Sequence, residues 1–197
     1  MNPVIKTGPA KYPVELKEVK EQLNLTVGWT DDDEWLKRAI AVATSKVEQY
    51  LKRRLITQTW YAYYDAWPTG DAIVLPFGKL QSVTTVKYTE TSGTQTTWSA
   101  TEYNADTDSD PGRVVLEYGY PWPSFDLNPL NPVEVEFVCG YGTTGSSVEP
   151  SIKHAMVMAI DDLYNNRGDK LVGVLSQDMR ISTGLLWPFR IFERATT

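Results

Sequence analysis

Between Gln58 and Val148 the chain carries five short β-rich segments and no stretch of helical periodicity long enough to cross a sheet. The segments are Thr59 to Asp65, Ala72 to Leu75, Val83 to Thr89, Arg113 to Tyr118 and Val133 to Cys139, separated by clusters of Gly, Pro, Asp and Ser. A parallel crossover needs about a dozen residues and usually a helix, so this spacing predicts antiparallel strands and disfavours a parallel βαβ sheet. Thr91-Ser92-Gly93-Thr94 reads as a hairpin turn, and Asp106 to Gly112 and Pro121 to Pro132 read as longer loops.

Helical spacing flanks this region on both sides. After a tail rich in Pro, Gly and Lys, the run Pro13 to Leu23 places Leu16, Val19 and Leu23 at i, i+3 and i+7. A second helix is expected after Thr30 or Asp31 as cap, with Asp32, Asp33 and Glu34 at its positive end and Leu36, Ile40, Ala43, Val47 and Leu51 on one face. It should run about five turns. Lys52, Arg53 and Arg54 end it, either complementing the helix dipole or contacting an acidic partner. A third helix is expected from Pro150, where Ile152, Met156, Ile160 and Leu163 form an apolar stripe, with a stop near Asn166-Arg167-Gly168. The fold class is therefore α+β: a helical core of two N-terminal helices plus a long C-terminal helix, with an inserted antiparallel β-rich region. The parts are residues 1–57, 58–148 and 149–197.

Charge follows the same division. Met1 to Thr57 carries ten basic and eight acidic residues, Gln58 to Val148 three and eleven, and Glu149 to Thr197 six and six, for a net of −6. Phosphate contacts need clustered Lys and Arg, so this balance disfavours electrostatic nucleic-acid binding as the main function. No apolar run approaches the roughly 18 residues that span a bilayer, and Met1 to Ala10 lacks the apolar core of a secretory signal. A soluble chain that is not exported and makes no membrane contact is expected. The single cysteine, Cys139, neither staples the fold nor builds a cysteine metal site, and reads as a small buried hydrophobe.

Motifs that carry chemistry are incomplete. His154 is the only histidine and falls off the apolar stripe of its helix, at an exposed or interfacial position. Gly-x-Ser-x-Gly is absent. Gly140-Tyr-Gly-Thr-Thr-Gly145 matches the dinucleotide pattern, but Ser146 to Glu149 intervene before the next helix and no further parallel strand follows. Asp106, Asp108 and Asp110 resemble half of a calcium loop, yet the sixth position is Pro111 where glycine is required. No catalytic residue, cofactor or metal site is expected, and an enzyme is disfavoured.

Twenty-three aromatic residues demand another explanation. Alternation puts Trp60, Ala62 and Tyr64 on one face of a strand and Tyr61 and Tyr63 on the other. A strand covered on both sides, a subunit interface and a carbohydrate- or receptor-binding platform all fit, because Tyr and Trp are enriched where proteins bind. Lys52, Arg53, Arg54, Trp60, Tyr61 and Tyr63 are the candidate subunit-interface residues. The compact apolar run of Leu185, Leu186, Trp187, Phe189, Arg190, Ile191 and Phe192 must also be covered, by the protein's own helices or by a partner.

The order of these pieces resembles the head-tail connector, or head-completion adaptor, family of tailed bacteriophages, prophages and gene transfer agents. The resemblance is carried by Pro13 to Leu23, Asp32-Asp-Glu-Trp-Leu36, Ala43 to Leu55, Trp60, Leu75-Pro-Phe-Gly78 and Leu80 to Val83. It continues through Tyr88, Pro111-Gly-Arg-Val114, Val133 to Gly142 and Pro150 to Arg167, and Leu185 to Arg190 is similar to the family's closing apolar motif. It implies a structural virion protein, not an enzyme, that assembles in the host cytoplasm into a homo-oligomeric, twelve-fold ring at the head-tail junction. The implied partners are the portal protein and the next tail or stopper component, with DNA passing through the channel without specific binding; Leu185, Leu186, Trp187, Phe189, Arg190, Ile191 and Phe192 are the candidate portal-contact residues.

Overall fold

The computed structural model describes residues 1–26, 28–165 and 184–192. The chain is α+β and divides into two compact units, one of residues 10–56 and 141–197 and one of residues 1–9 and 57–140. The expected stop of the last helix, at Asn166 to Gly168, lies outside the described residues.

The helical unit contains α1 (Leu16–Gln22), α2 (Asp33–Leu51) and α3 (Pro150–Asn165). Leu36, Ile40, Ala43, Val47 and Leu51 of α2 are buried in one core with Val19 of α1 and Ile152, Ala155, Met156 and Ile160 of α3. Leu163, placed on the α3 stripe by sequence, is half-buried. Helix α1 starts three residues later than the run from Pro13, because Glu15 holds its first turn in a reciprocal capping box with Glu18. The Lys20 ammonium, itself buried, reaches Asp33 at 2.5 Å and the Trp29 carbonyl at 2.6 Å, joining α1 to the start of α2. Asp32, not Thr30 or Asp31, is the cap residue of α2. Its side chain makes no capping bond and instead accepts the Tyr164 hydroxyl at 2.7 Å.

The other unit holds eight strands: β1 (Asn2–Thr7), β2 (Gln58–Tyr64), β3 (Ala72–Val74), β4 (Leu80–Thr89), β5 (Gln95–Thr97), β6 (Tyr103–Asp106), β7 (Arg113–Leu116) and β8 (Val133–Cys139). They form two antiparallel sheets, ordered β1-β2-β8-β4-β5 and β3-β7-β6. Strand β8 is central to the larger sheet and alternates apolar and acidic residues from Val133 to Phe137. Val133, Val135, Phe137 and Cys139 are buried against Ala62, Val86 and Tyr88, while Glu134 and Glu136 project to the opposite face.

Three strands depart from the sequence reading. The N-terminal tail is an edge strand pairing only with β2, and five of its six residues are exposed, so it shows no apolar alternation. Strands β5 and β6 are three and four residues long, too short for periodicity to register, and β6 takes Asp106 out of the expected loop. The hairpin at Thr91 to Thr94 joins β4 to β5, with Gly93 at φ +84°.

The Gly140-x-Gly142-x-x-Gly145 pattern has a packing cause. A Cβ on Gly145 would stand 2.1 Å from the Pro13 carbonyl oxygen, and one on Gly142 would stand 2.4 Å from Ser147 Oγ. Gly70, by contrast, has open space around its Cα. Gly145→Ala is expected to destabilise the protein by about 1–3 kcal/mol in urea unfolding, the usual cost of forcing atoms into a packed site. Gly70→Ala should stay within about 0.5 kcal/mol of wild type. Equal stability of the two variants would refute this account of the glycines.

Candidate functional site

Residues 184–192 resolve the choice posed by the C-terminal apolar run: one face docks on the helical unit and the other is exposed. Leu186 is buried in the helical core, and Leu185 and Phe189 pack against it. Backbone contacts fix the segment. The Ile191 N–H donates to the Leu51 carbonyl at 3.0 Å, and Arg53 Nε donates to the Phe189 carbonyl. Pro188 sits in the first turn of the short 3-10 helix Trp187–Phe189, where its missing N–H costs nothing. The Arg190 guanidinium lies 5.0 Å from the Tyr50 ring centroid and 5.5 Å from that of Phe192. Trp187 and Phe192 remain 55% and 54% exposed and meet edge-to-face at 5.1 Å. The result is a paired aromatic surface held on a folded base.

The basic run after α2 has mostly internal duties. Lys52 takes the left-handed conformation that ends the helix, with φ +54°, and no basic residue lies in the last turn of α2. The dipole reading therefore gives way to side-chain bonding. Glu48, buried one turn earlier, accepts Arg54 Nη1 at 3.0 Å and the Leu55 N–H at 2.9 Å. Arg53 is buried beneath the C-terminal segment that it holds.

The three aromatic candidates on β2 split as alternation requires. Trp60 packs on the sheet's buried face, edge-on to Phe77 at 4.8 Å, with its indole N–H donating to Gln58. Tyr61 and Tyr63 are half-buried on the other face, 6.1 Å apart. That face also carries two ion pairs, Lys6–Glu136 at 2.7 Å and Lys87–Glu134 at 3.7 Å. The six candidate interface residues thus belong to two units, Lys52, Arg53 and Arg54 to one and Trp60, Tyr61 and Tyr63 to the other.

Much of the aromatic surplus packs against itself. Trp67 stacks on Trp122 at 5.1 Å and meets Trp98 at 5.5 Å, and Trp98 contacts Tyr103 at 5.0 Å. Trp98 donates its indole N–H to Glu102, and Trp122 donates to the Gly70 carbonyl at 2.8 Å. These rings pack on one another, and Trp98 and Trp122 also line a cleft with Tyr88 and Phe125.

The weak chemical motifs are tied up locally. Asp106 accepts Ser109 and Arg113, and these bonds hold its carboxyl well below the usual carboxylate range, the Ser109 hydroxyl contributing most. Among the described residues no group of three or more His, Cys, Asp or Glu is placed to hold a metal ion. His154 is exposed beside a cleft that Glu18, Ser146 and Lys153 also line. Lys153 pairs with Glu18 at 2.6 Å and Ser146 with Thr144 at 2.8 Å, and neither contact involves the imidazole. Among the described residues no helix is long and apolar enough to cross a membrane.

Two surfaces were not singled out by sequence. On the outer side of α2, Arg38, Val42 and Lys46 recur every fourth residue, and the only signal was a valine on a polar face. In the β unit, Tyr118, Tyr120, Phe125 and Leu130 are exposed along one loop region, visible in sequence only as a stretch dense in proline and aromatic residues.

The family model of phage gp6-like head-tail connector proteins matches residues 13–114. Among solved structures, a chain in the neck of an empty gene transfer agent particle computed with C6 symmetry superposes with a TM-score of 0.84. Its identity is 20%, and the match covers 100% of this chain and 99% of that one. A chain in the virion of a native gene transfer agent particle gives 0.79 at 21% identity, and one in the native neck computed with C12 symmetry gives 0.79 at 19%. Both matches have the same coverage of each chain. No curated protein matches, and the comparisons give no support to a carbohydrate- or receptor-binding module.

The anchored and exposed halves of residues 184–192 separate experimentally. Leu186→Ala should cost about 2–5 kcal/mol in urea unfolding, as for other buried leucines. Trp187→Ala and Phe192→Ala should each stay within about 1 kcal/mol of wild type, since both rings are half in solvent. A Trp187→Ala loss as large as that of Leu186→Ala would show that the exposed pair is part of the core.

Proposed function

The chain belongs to the phage gp6-like head-tail connector family, and on that premise we propose that it is the adaptor subunit of a head-tail junction, a homo-oligomeric ring between portal and tail. The family match carries this reading. The fold likeness to chains of gene transfer agent necks, computed with C6 and C12 symmetry, supports a ring, and we take twelve as its copy number. Its place is the virion, after assembly in the host cytoplasm. It works as a structural part, without catalysis or a cofactor.

Two structural features support the division of labour. Residues 185–192 are the portal-contact element: Leu186 and Phe189 seat the segment, while Trp187 and Phe192 offer the partner apolar surface. Aromatic side chains of this kind supply large contact area at low entropic cost. The helical core with its inserted β unit supplies the subunit contacts, through the exposed parts of Lys52, Tyr61 and Tyr63. Arg53, Arg54 and Trp60 hold those surfaces in shape. The stopper or next tail component meets the opposite side of the ring. The acidic surplus of the β unit repels phosphate, which suits a ring through which DNA slides without specific binding.

Electron microscopy of the protein alone and mixed with portal particles tests the reading. Wild type is expected to form rings or a bound collar, and the double variant Trp187→Ala/Phe192→Ala to keep its fold yet leave the portal bare. Full occupancy by that variant would remove the portal role of the segment, and neither ring nor collar with wild type would refute the adaptor assignment.

A further inference from the structure

The two units carry very different charge. Residues 1–9 and 57–140 hold four Lys or Arg against eleven Asp or Glu, a net of −7, whereas residues 10–56 and 141–197 hold fifteen against fourteen, a net of +1. Cations of the β unit are engaged inside it, Lys6 with Glu136, Lys87 with Glu134 and Arg113 with Asp106. A closed ring requires a heterologous contact, in which two different surfaces of the same chain meet. Placing β unit against β unit would bring like charges together and is disfavoured.

On the helical unit the matching surface is the outer side of α2. Its inner side is buried against α1 and α3, but Arg38, Val42 and Lys46 stand four residues apart on the exposed side. Side chains at that spacing are neighbours on a helix. Val42 is 46% exposed between the two cations, an apolar centre with a basic rim.

The β unit offers the complement. Glu117 to Tyr120 form a tight turn closed by the Tyr120 N–H on the Glu117 carbonyl at 3.0 Å, with Gly119 at φ +85°. The turn projects Tyr118, which is 97% exposed, and leaves Tyr120 46% exposed. Glu117 flanks them and is fixed by the Asn104 amide. This surface pairs an apolar centre with acid, the inverse of the α2 stripe.

We propose that, in the ring read above, the Arg38–Val42–Lys46 stripe of one copy seats on the Glu117–Tyr118–Tyr120 turn of the next. Tyr118 covers Val42, and the Glu117 carboxylate faces the cations. The contact rests on the adaptor reading for its ring and adds which surfaces close it.

The full chain tests this by ring occupancy on portal particles and by native mass spectrometry in solution. Arg38→Glu/Lys46→Glu changes exposed residues and Glu117→Lys a half-buried one that accepts from Asn104, and circular dichroism checks that both variants stay folded. Each variant alone places like charges across every junction and should lose about tenfold or more in assembly. Mixed in equal amounts they form alternating rings, in which every junction again joins opposite charges, and assembly returns. Assembly of either variant alone at the wild-type level would overturn the proposal, as would a mixture that stays as poor as its components. Failure of wild type itself to form rings would instead refute the adaptor reading and this contact with it.

Discussion

Leu36, Ile40, Val47 and Leu51 lie along one side of a single helix, and the helical unit exists because other elements cover that stripe. Helices α1 and α3 supply Val19, Ile152, Met156 and Ile160, and the C-terminal segment supplies Leu186. Seven-residue α1 is too short to persist alone, so it holds its shape through this packing, its capping box and the buried Lys20 contacts. The exposed Trp187–Phe192 pair is a consequence one step further on. Its position is fixed by Leu186 in the core and by the Leu51 carbonyl at the end of the same helix. A partner seated there, as proposed above, would meet an ordered aromatic surface and need not pay the entropy of ordering it.

The β unit distributes its residues by a different rule. Rings go inward or against each other, and charge is neutralised on the large sheet but left in surplus at the loops. Trp67, Trp98 and Trp122 brace short connections that two small sheets alone would hold weakly. The loops that remain combine acid with a few projecting rings.

The sequence made some of this legible because the relevant signals are local. The α2 stripe and the β8 strand follow from spacing: each helix turn repeats an apolar residue, and β8 alternates from Val133 to Phe137 before Val138 breaks the pattern. Strand β1 did not show itself, since an exposed edge strand has no buried face to write into its sequence. The destinations of Arg53 and Arg54 were equally hidden. A run of three cations looks the same whether it faces solvent or reaches a glutamate one turn back and a carbonyl 136 residues away. Likewise, pattern placed Trp60 opposite Tyr61 and Tyr63 but did not tell which face was covered, because that depends on Phe77 and on the ion pairs across β8 and β1.

How the β unit is inserted bears on how such a chain serves assembly. The chain leaves the helical unit after Ile56 and returns at Tyr141, and within that unit the two passages are tied together. Ile56 bridges Gly142, and the Tyr141 N–H donates to the Leu55 carbonyl at 3.2 Å. Within the β unit Gln81 spans the same passages, donating to Thr57 at 2.9 Å and to the Gly140 carbonyl at 2.8 Å. Each unit thus holds these two of the chain's three crossings, the other being at Pro9–Ala10, by its own bonds and keeps its own core. With the cores separate, the loops of one unit and the outer helix face of the other can change without disturbing packing elsewhere. A ring subunit needs two or more independent surfaces on stable bases, and the partition of apolar, aromatic and charged residues in this chain supplies them.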